Sequence, residues 1–480
     1  MRRILITVIL TAFFIQIGIS QTKRDARSVA LSGAYTTIAD GVYAVGYNPA
    51  LLAYQREKPF MLQLGGIDFG LLNNWASLAN LSNLSGDTLY ADEKDDLYSN
   101  FSNKGLTFFQ DIHIPLPGLN YTSGNMAFTT NLLLMSNIQI PPGVMKLLLY
   151  GNANIPNLDV TMHYEILGVN ELGFSFAIPF NRFAFGMTVK YLQGLYYFGA
   201  DPDSSYSNLV NTGDSVYGQG TYYLRQGIGG TGIGLDIGFA TQDLDGWRFG
   251  VSIINAIGSI DWNKPSLTKD ILAGKDNIYG NDDDLWHFSW SGTTLNDSMA
   301  ILYTYEIDSL NATSLSGETL FTSEQRIVKN IDKNGKVKTF TTNYPALFRL
   351  GLSYQRNNLL IASDLVAGFE DRFYARQAWK WSIGLEFTKF PTTPLRVGFG
   401  WGGADLTELS MGFGIHKGPV IFDFGVGFRN GLWIHTMKGI NVSASVAVTS
   451  FKSRKNESNG EPERVAPAPE PISLPDAEQQ

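Results

Sequence analysis

Large apolar side chains alternate with small or polar ones over long stretches of this chain. Between Phe183 and Tyr191, the odd positions hold Phe, Met, Val and Tyr, whereas the even positions hold Ala, Gly, Thr and Lys. A period of two sends successive side chains to opposite faces of a β-strand, so the pattern predicts a strand with one bulky apolar face. The alternation recurs in seven further segments, which begin near Leu172, Trp247, Leu350, Trp379, Leu395, Leu409 and Phe422.

The face opposite the bulky one is made mostly of Gly, Ser and Ala. The chain holds 50 Gly among 480 residues, together with 30 Phe, 22 Tyr and 9 Trp. A soluble β-sandwich would place Lys, Glu and Thr on its solvated face, whereas a crowded barrel interior needs small side chains. Segments of about 9–12 residues also have the length that crosses a bilayer at a tilt. We therefore expect an all-β fold, a transmembrane antiparallel β-barrel of about 14 strands.

Connections between the segments are of two kinds. Phe390–Pro394 and Lys417–Pro419 have the composition of tight turns. Longer polar stretches are expected to be loops, and Asn334-Gly335 is expected to turn a hairpin above the membrane. Short turns on one side and long extracellular loops on the other are typical of outer-membrane barrels. The predicted loops are Leu78–Gly105, Ala200–Gly220, Asn263–Leu285 and Ser309–Thr319.

Both ends of the chain differ from the strand region. Residues 1–20 have a basic start, an apolar run from Ile4 to Ile15 and small residues up to Ser20. They predict a secretory signal peptide rather than a membrane anchor, because the apolar run is short. The last predicted strand runs from Ile440 to Phe451, and residues 452–480 are rich in Pro and charge. We expect these to form a disordered periplasmic tail, which either binds a partner or is inert.

Composition excludes several classes of protein. The chain has no Cys, which rules out disulfides, thiolate metal sites and a lipoprotein anchor. Without Arg2 and Arg3, 34 basic side chains face 44 acidic ones, a net charge of −10. No cluster of Lys and Arg is evident, so no nucleic acid partner is expected.

Residues 25–54 do not alternate, and small residues dominate them. Three blocks stand in order: Ser-Gly-Ala-Tyr-Thr at 32–36, Ile-Ala-Asp-Gly at 38–41 and Tyr-Asn-Pro-Ala-Leu-Leu at 47–52. They resemble the opening of the FadL-type fatty-acid and hydrocarbon transporters and of the related PorV-like barrels. Ser32 and Gly41 depart from the double glycine and double aspartate of those families.

The resemblance implies that this segment is a hatch, an N-terminal plug inside a 14-stranded barrel. The domains would then be a hatch at 21–58 and a barrel at 59–451. Pro49 fixes its own φ and biases Asn48 to an extended conformation, and the Asn48 side chain is suited to cap the turn. The alternative is that Asn48-Pro49 is an ordinary surface turn. The expected hatch motif comprises Gly33, Asp40, Asn48, Pro49 and Ala50.

Charged side chains also occur on the face that should point away from lipid. Charges there are costly unless they are paired or hydrated. One interpretation is that they pair with each other and with the hatch; the other is a polar path or a carboxylate-binding site. Lys380, Arg396 and Arg429 are the candidates for a fatty-acid headgroup. The full set is Lys190, Arg248, Arg349, Lys380, Glu386, Arg396, Asp423 and Arg429.

No motif for catalysis, a metal or a cofactor is convincing. Gly227–Gly232 spells G-x-G-x-x-G, but an alternating segment follows it instead of the helix that a dinucleotide site needs. The five His have no helical metal spacing, and no local signature supports a Ser/His/carboxylate lipase. Asp282–Asp284 lack the alternating ligand pattern of a calcium loop.

Two functions remain for an outer-membrane barrel of this kind. The first is passive transport of a hydrophobic or amphipathic, fatty-acid-like molecule through a plugged barrel. The second is a non-transport accessory barrel in protein secretion or surface attachment, which the PorV-like resemblance implies. Expected partners are outer-membrane lipid, the barrel-assembly machinery, and either a hydrophobic ligand or a secretion-system protein.

Overall fold

The fold is that of a computed structural model of the chain. It describes residues 25–55, 60–84, 88–151, 157–201, 203–212, 215–264, 275–276, 289–290, 293–294, 299–310, 321–328, 340–403 and 406–450. The predicted signal peptide, the predicted tail, Asp282–Asp284, Asn334-Gly335 and most of the loops 263–285 and 309–319 lie outside these residues.

Fourteen strands of the described residues form one barrel. In chain order they are β1 (Met61–Asn73), β2 (Leu106–Pro115), β3 (Met126–Ile140), β4 (His163–Pro179), β5 (Phe183–Ala200), β6 (Val216–Thr241), β7 (Trp247–Asp261), β8 (Leu347–Arg356), β9 (Leu359–Gly368), β10 (Lys380–Phe387), β11 (Leu395–Gly402), β12 (Thr407–Lys417), β13 (Val420–Arg429) and β14 (Gly439–Thr449).

Each strand pairs antiparallel with the next one, and the last strand closes the sheet on the first. In that closing pair, Met61 of β1 lies opposite Thr449 of β14, and Leu72 lies opposite Gly439. Closure removes the free edges that an open sheet would present to hydrocarbon at its first and last strands. The predicted fold class, an all-β transmembrane barrel of 14 strands, is confirmed.

The two faces of the wall follow the sequence alternation. On β5, Phe183, Val189 and Tyr191 are exposed, whereas Ala184 and Lys190 are buried. The outer surface is thus apolar and the lumen holds the small and polar residues, as lipid on one side and packed protein on the other require. Aromatic side chains are exposed near both ends of the barrel, among them Phe180, Phe183, Trp247 and Phe387 at one end and Phe369, Trp379 and Trp401 at the other.

Connections at one end of the barrel are short, and we call it the short-turn end; β8 and β9 are joined there by Asn357 and Asn358 alone. The opposite, long-loop end carries helices α2 (Leu78–Asn83), α3 (Ala91–Ser99) and α4 (Pro142–Tyr150). An earlier helix, α1 (Ala26–Ala30), precedes the barrel. In the described part of the chain, no helix is long and apolar enough to cross a membrane.

Several strands run well beyond the length expected from the sequence. Strand β6 has 26 residues, so it rises beyond the bilayer-spanning part of the wall. The prediction that Ala200–Gly220 is a loop is wrong in part, because Tyr206–Asn211 and the start of β6 pair with each other there. Further short strands are Asn120–Ser123, Asn157–Asp159, Ser289–Trp290, Thr293–Thr294, Met299–Leu310, Phe321–Val328 and Thr341–Asn343.

The G-x-G-x-x-G sequence lies inside β6 and packs against Trp262. Cβ atoms placed on Gly227 or Gly230 would come within 3.0 Å of the Trp262 or Ile260 side chains. Trp262 is fully buried and contacts Tyr197 and Phe340. These glycines therefore make room for an indole ring where the wall bends.

Candidate functional site

The candidate site is built on the N-terminal segment, residues 25–54, which packs against the inner wall. Its three short helices are α1, a 3₁₀ helix at Gly41–Ala44 and another at Pro49–Tyr54. The Asp25 carboxylate accepts hydrogen bonds from the backbone N–H groups of Arg27 and Ser28, which starts α1. Nearly every residue of the segment is buried.

Inward-facing glycines of the wall touch the backbone of this segment. A Cβ atom on Gly186 of β5 would lie closer than 3.0 Å to the backbone of Pro49 and Ala50. Gly398 of β11 lies equally close to the backbone at Leu31, and Gly425 of β13 to Ala26. Small residues at these positions are therefore a condition for the segment to pack this closely against the wall.

Asn48 joins two parts of the segment to the wall. Its Nδ2 donates hydrogen bonds to the carbonyl oxygens of Thr36 (3.2 Å) and of Phe239 on β6 (3.0 Å). Its Oδ1 accepts a bond of 3.1 Å from the N–H of Ala50, which caps the helix that Pro49 begins. Asn48 and Pro49 are buried, so they do not form a surface turn.

The other residues of the predicted hatch motif have simpler environments. Gly33 has φ of +85°, a conformation that side-chain-bearing residues rarely adopt. Asp40 lies 3.7 Å from the guanidinium of Arg27, and its side chain is half-exposed. Ala50 is buried beside Gly186.

An ion-pair network fixes one side of the segment to strands β10, β11 and β13. Arg396 lies between Glu386 (Nε–Oε2, 2.6 Å) and Asp423 (Nη1–Oδ1, 2.6 Å), and all three side chains are buried. From the segment, Arg27 reaches the same Glu386 through bonds of 2.7 and 3.0 Å. His416 adds a contact of 3.0 Å to Asp423. The sequence analysis did not single out Arg27.

A second buried pair fixes the segment to strands β8 and β9. Arg349 lies 3.1 Å from Asp364 and donates hydrogen bonds to Thr36 Oγ1 and to the Gly33 carbonyl oxygen. Asp364 in turn accepts bonds from the backbone N–H groups of Tyr35 and Thr36, each at 2.9 Å. These bonds converge on one oxygen of Asp364, Oδ2, so removal of Arg349 would leave a buried carboxylate without its counter-charge.

The remaining predicted lumen charges lie apart from these two networks. Lys190 is buried and bonds to Asp236 (2.9 Å) and Asn255 (2.7 Å), within the wall. Arg248 is partly exposed, and its guanidinium lies 3.9 Å from the carboxylate of Asp243 at the short-turn end. Lys380 pairs with Glu408.

A cavity of about 50 Å³ lies between the segment and the long-loop end. Ser32 and Gly33 belong to its lining, together with Phe109, Phe373 and Tyr374. Among the described residues, its lining includes no carboxylate and four cationic side chains: Arg349, Arg376, Lys380 and Arg429. Of the three candidates for a headgroup site, Lys380 and Arg429 reach this cavity, whereas Arg396 is not among the lining residues.

The wall is interrupted between β1 and its neighbour on the β2 side. Strand β1 pairs with β2 from Asp68 to Asn73 and with the short strand Asn120–Ser123 from Met61 to Gln63. Residues 64–67 have no partner on that side among the described residues. The cause is local sequence, because Pro115 and Pro117 have no N–H to offer a ladder.

This interruption is a built feature rather than a frayed end. The side chain of Asn120 exchanges two hydrogen bonds of 3.0 Å with the backbone N–H and carbonyl of Thr130 on β3. Gly118 donates to the carbonyl of Gln63 at 3.1 Å, which fixes the turn after Pro117 to β1 directly beside the gap. Leu64 and Ile67 are exposed on the lipid side. The sequence Pro-Leu-Pro-Gly at 115–118 was the available signal for it.

His113 is held by hydrogen bonds on both sides of its ring. His113 is buried, with Nδ1 2.5 Å from Asp68 and Nε2 3.0 Å from Asn131. Both ring nitrogens are therefore occupied, and none remains for a serine nucleophile. Among the described residues, no group of three His, Asp or Glu side chains is arranged to hold a metal ion.

Fold and site together define a transmembrane β-barrel with a charged, partly filled lumen and an interrupted wall. A family model described as a family of unknown function, DUF5723, matches residues 49–226. No curated protein matches the chain.

Several solved structures resemble the chain over most of its length. The toluene transporter TbuX of Ralstonia pickettii is 13% identical, with a TM-score of 0.49 over 89% of this chain and 98% of that one. The P. putida toluene transporter TodX is 13% identical, with a TM-score of 0.47 over 90% and 99%. A Pseudomonas aeruginosa FadL homologue is 10% identical, with a TM-score of 0.44 over 90% and 99%. Likeness at this level does not decide the function of this chain.

Proposed function

We propose that this protein passively transports a hydrophobic or amphipathic small molecule across the outer membrane, with the N-terminal segment acting as its hatch. In this proposal residues 21–58 are the hatch and residues 59–451 the barrel. The signal peptide directs export, the barrel-assembly machinery inserts the chain, and the long loops face outward. Residues 452–480 remain in the periplasm.

The observation that carries the proposal is the interruption of the wall at residues 64–67. A closed barrel needs an unbroken ladder, so a gap stabilised by Asn120 and by two prolines calls for a reason. The gap is flanked by Leu64 and Ile67 on the lipid-facing surface. An apolar molecule that left the lumen there would enter the bilayer without crossing the aqueous periplasm.

The cavity at the long-loop end is suited to receive the molecule. Phe109, Leu347 and Val366 offer apolar contact, while Lys380 and Arg429 offer positive charge. Cations that line a site partly removed from water attract a carboxylate strongly. A ligand with one carboxylate and a hydrocarbon body fits this lining better than an uncharged hydrocarbon.

The alternative is a non-transport accessory barrel for protein secretion or surface attachment, and the small cavity favours it. A volume of about 50 Å³ holds a headgroup or a few water molecules, not a long acyl chain. Transport therefore requires displacement of the hatch or of the loops, whereas an accessory barrel does not.

The decisive experiment measures uptake of a labelled long-chain fatty acid and of a labelled uncharged hydrocarbon by cells with and without the gene. We expect faster uptake with the gene, and a loss of this gain in Gly66→Leu. A side chain at Gly66 meets Pro115 and the Ala444 carbonyl and would fill the gap. Gly65→Ala is the matched control, because a Cβ atom there has nothing within 4 Å.

Folding of both variants is checked by the heat-dependent gel mobility of the barrel. Equal uptake of both compounds with and without the gene would overturn transport. Co-purification of the protein with a secretion complex, together with equal uptake, would support the accessory function.

A further inference from the structure

The loop between β13 and β14 presents large apolar side chains to the outside. Leu432, Trp433 and Ile434, which we call the apolar tip, have 52%, 61% and 47% of their surface exposed. Three consecutive residues of this size at the surface of a loop are costly in water. The long-loop end of the barrel is where they lie.

The loop that carries the apolar tip is firmly structured. The N–H groups of Thr436 and Met437 both donate to the carbonyl of Trp433, at 3.0 and 2.8 Å. At its base, Lys438 donates to the carbonyl of Arg429 at 2.9 Å. The exposure of the tip is therefore imposed by the backbone, since the turn behind it is fully hydrogen-bonded.

The contacts of Trp433 show whether the loop covers the outer wall or the lumen. Its ring contacts that of Phe428, with centroids 6.0 Å apart. Phe428 has the parity of Phe424 and Val426 on β13, which places it on the outward face, and it is 7% exposed beneath the Trp433 ring. The loop thus bends over the outer wall and not over the lumen, and the apolar tip continues the lipid-facing surface of β13.

A neighbouring loop widens this apolar surface. Leu78, the first residue of α2, is 53% exposed. The next residue, Ala79, donates its N–H to the carbonyl of His435 at 2.9 Å, so the two loops are joined by their backbones. Their apolar side chains lie in one sector of the rim, above strands β14 and β1.

We propose that the apolar tip inserts into the membrane leaflet on the long-loop side and binds lipid acyl chains there. The partner follows from continuity, because the tip extends a surface that already faces hydrocarbon. Tryptophan at such a level is the side chain best suited to the boundary between headgroups and acyl chains. Membrane insertion of the apolar tip depends on the barrel fold and not on transport. Either proposal can therefore fail without affecting the other.

The test uses the absence of Cys from the chain, which allows a single nitroxide label to be placed at will. Full-length Leu432→Cys is labelled in proteoliposomes and compared with Phe424→Cys on the outer wall and Ser102→Cys in an exposed loop. Collision with dissolved oxygen reports hydrocarbon, and collision with a water-soluble nickel complex reports water. We expect the label at Leu432 to resemble that at Phe424, with nickel collisions several-fold below those at Ser102.

A label at Leu432 as accessible to nickel as the one at Ser102 would overturn the proposal. A label that is accessible to nickel in proteoliposomes but immobilised in whole cells would also overturn the proposal. That result would indicate that the tip binds a protein partner instead of lipid. A second experiment uses the variant Trp433→Phe without a label, so its result does not depend on any disturbance that the label causes. We expect this variant to lose part of the tryptophan fluorescence that bromine-substituted acyl chains quench in the parent protein.

Discussion

Arg27 and Glu386 form a doubly bonded ion pair across 359 positions of the chain, with distances of 2.7 and 3.0 Å. One residue belongs to the N-terminal segment and the other to β10 of the wall. Arg396 approaches the same carboxylate from β11, at 2.6 Å, so Glu386 is shared by two guanidinium groups. This carboxylate is therefore the point at which the segment and the wall depend on each other most directly.

Arg27→Ala is expected to destabilise the docked segment by about 1.5–3 kcal/mol, because it removes charge-assisted hydrogen bonds between a partly buried guanidinium and the buried carboxylate of Glu386. Arg27→Lys should restore only part of the loss, since an ammonium group cannot reproduce the fork geometry. The measurement is the denaturant midpoint of unfolding in detergent. Arg356→Ala, at an exposed cation of the short-turn end, is the control and should change the midpoint little. Equal effects of the two alanine variants would contradict the role given to Arg27.

Gly186→Ala is expected to displace the N-terminal segment, since the added methyl group would meet the backbone of Pro49 and Ala50. We expect a loss of at least about 1–3 kcal/mol, the usual cost of overpacking a filled interior. Limited proteolysis within residues 25–54 should become faster while the barrel stays resistant. Gly65→Ala is the matched substitution with free space around it. The expectation fails if cleavage is equally slow in both variants.

Asn120→Ala is expected to expose the backbone of β3 at the interruption of the wall. The variant removes the acceptor of the Thr130 N–H and a donor to its carbonyl, both at 3.0 Å. A buried backbone group left without a partner costs about 1–3 kcal/mol. Hydrogen exchange of peptides from 126–135 should accelerate, while peptides from β9 and β10 serve as the internal control. Unchanged hydrogen exchange at Thr130 would mean that Asn120 is not needed to protect this amide.

If the cavity binds a carboxylate as proposed, Lys380→Gln is expected to affect uptake of a charged substrate much more than uptake of an uncharged one. Loss of one charge-assisted hydrogen bond should weaken fatty-acid uptake roughly ten- to a hundredfold in apparent affinity. Uptake of an uncharged hydrocarbon should stay near the parent value. The comparison is made in one strain with both labelled compounds. A parallel fall for the two compounds would point to a structural effect, because Lys380 also pairs with Glu408.

Much of the wall could be predicted from the sequence because strands such as β5, β8 and β11 each carry the alternation themselves. Arg349 and Arg396 alternate with Leu350 and Val397, and this parity alone indicates that the arginines turn inward. The bounds of β6 were harder to predict, since its upper half has no lipid to face and therefore loses the alternation.

Partners across the lumen could not be predicted. The contacts of Arg349 with Asp364 and of Arg27 with Glu386 depend on how the segment sits in the closed barrel. The parity of a position along a strand indicates the face on which its side chain lies. It does not indicate which residue that side chain contacts. The interruption beside Asn120 had a local signal in the sequence, Pro115 and Pro117. Which residues of β1 lose their partner there could be seen only in the folded barrel.

The docking of the N-terminal segment also sets an order of events. Residues 25–54 are synthesised well before their partners Asp364 and Glu386, which lie in later strands of the wall. Contacts of such long sequence separation form late, because the intervening chain must first be ordered. The segment therefore reaches its final contacts only after strands β9 and β10 have formed. Docking of residues 25–54 is timed by strands from the second half of the sequence.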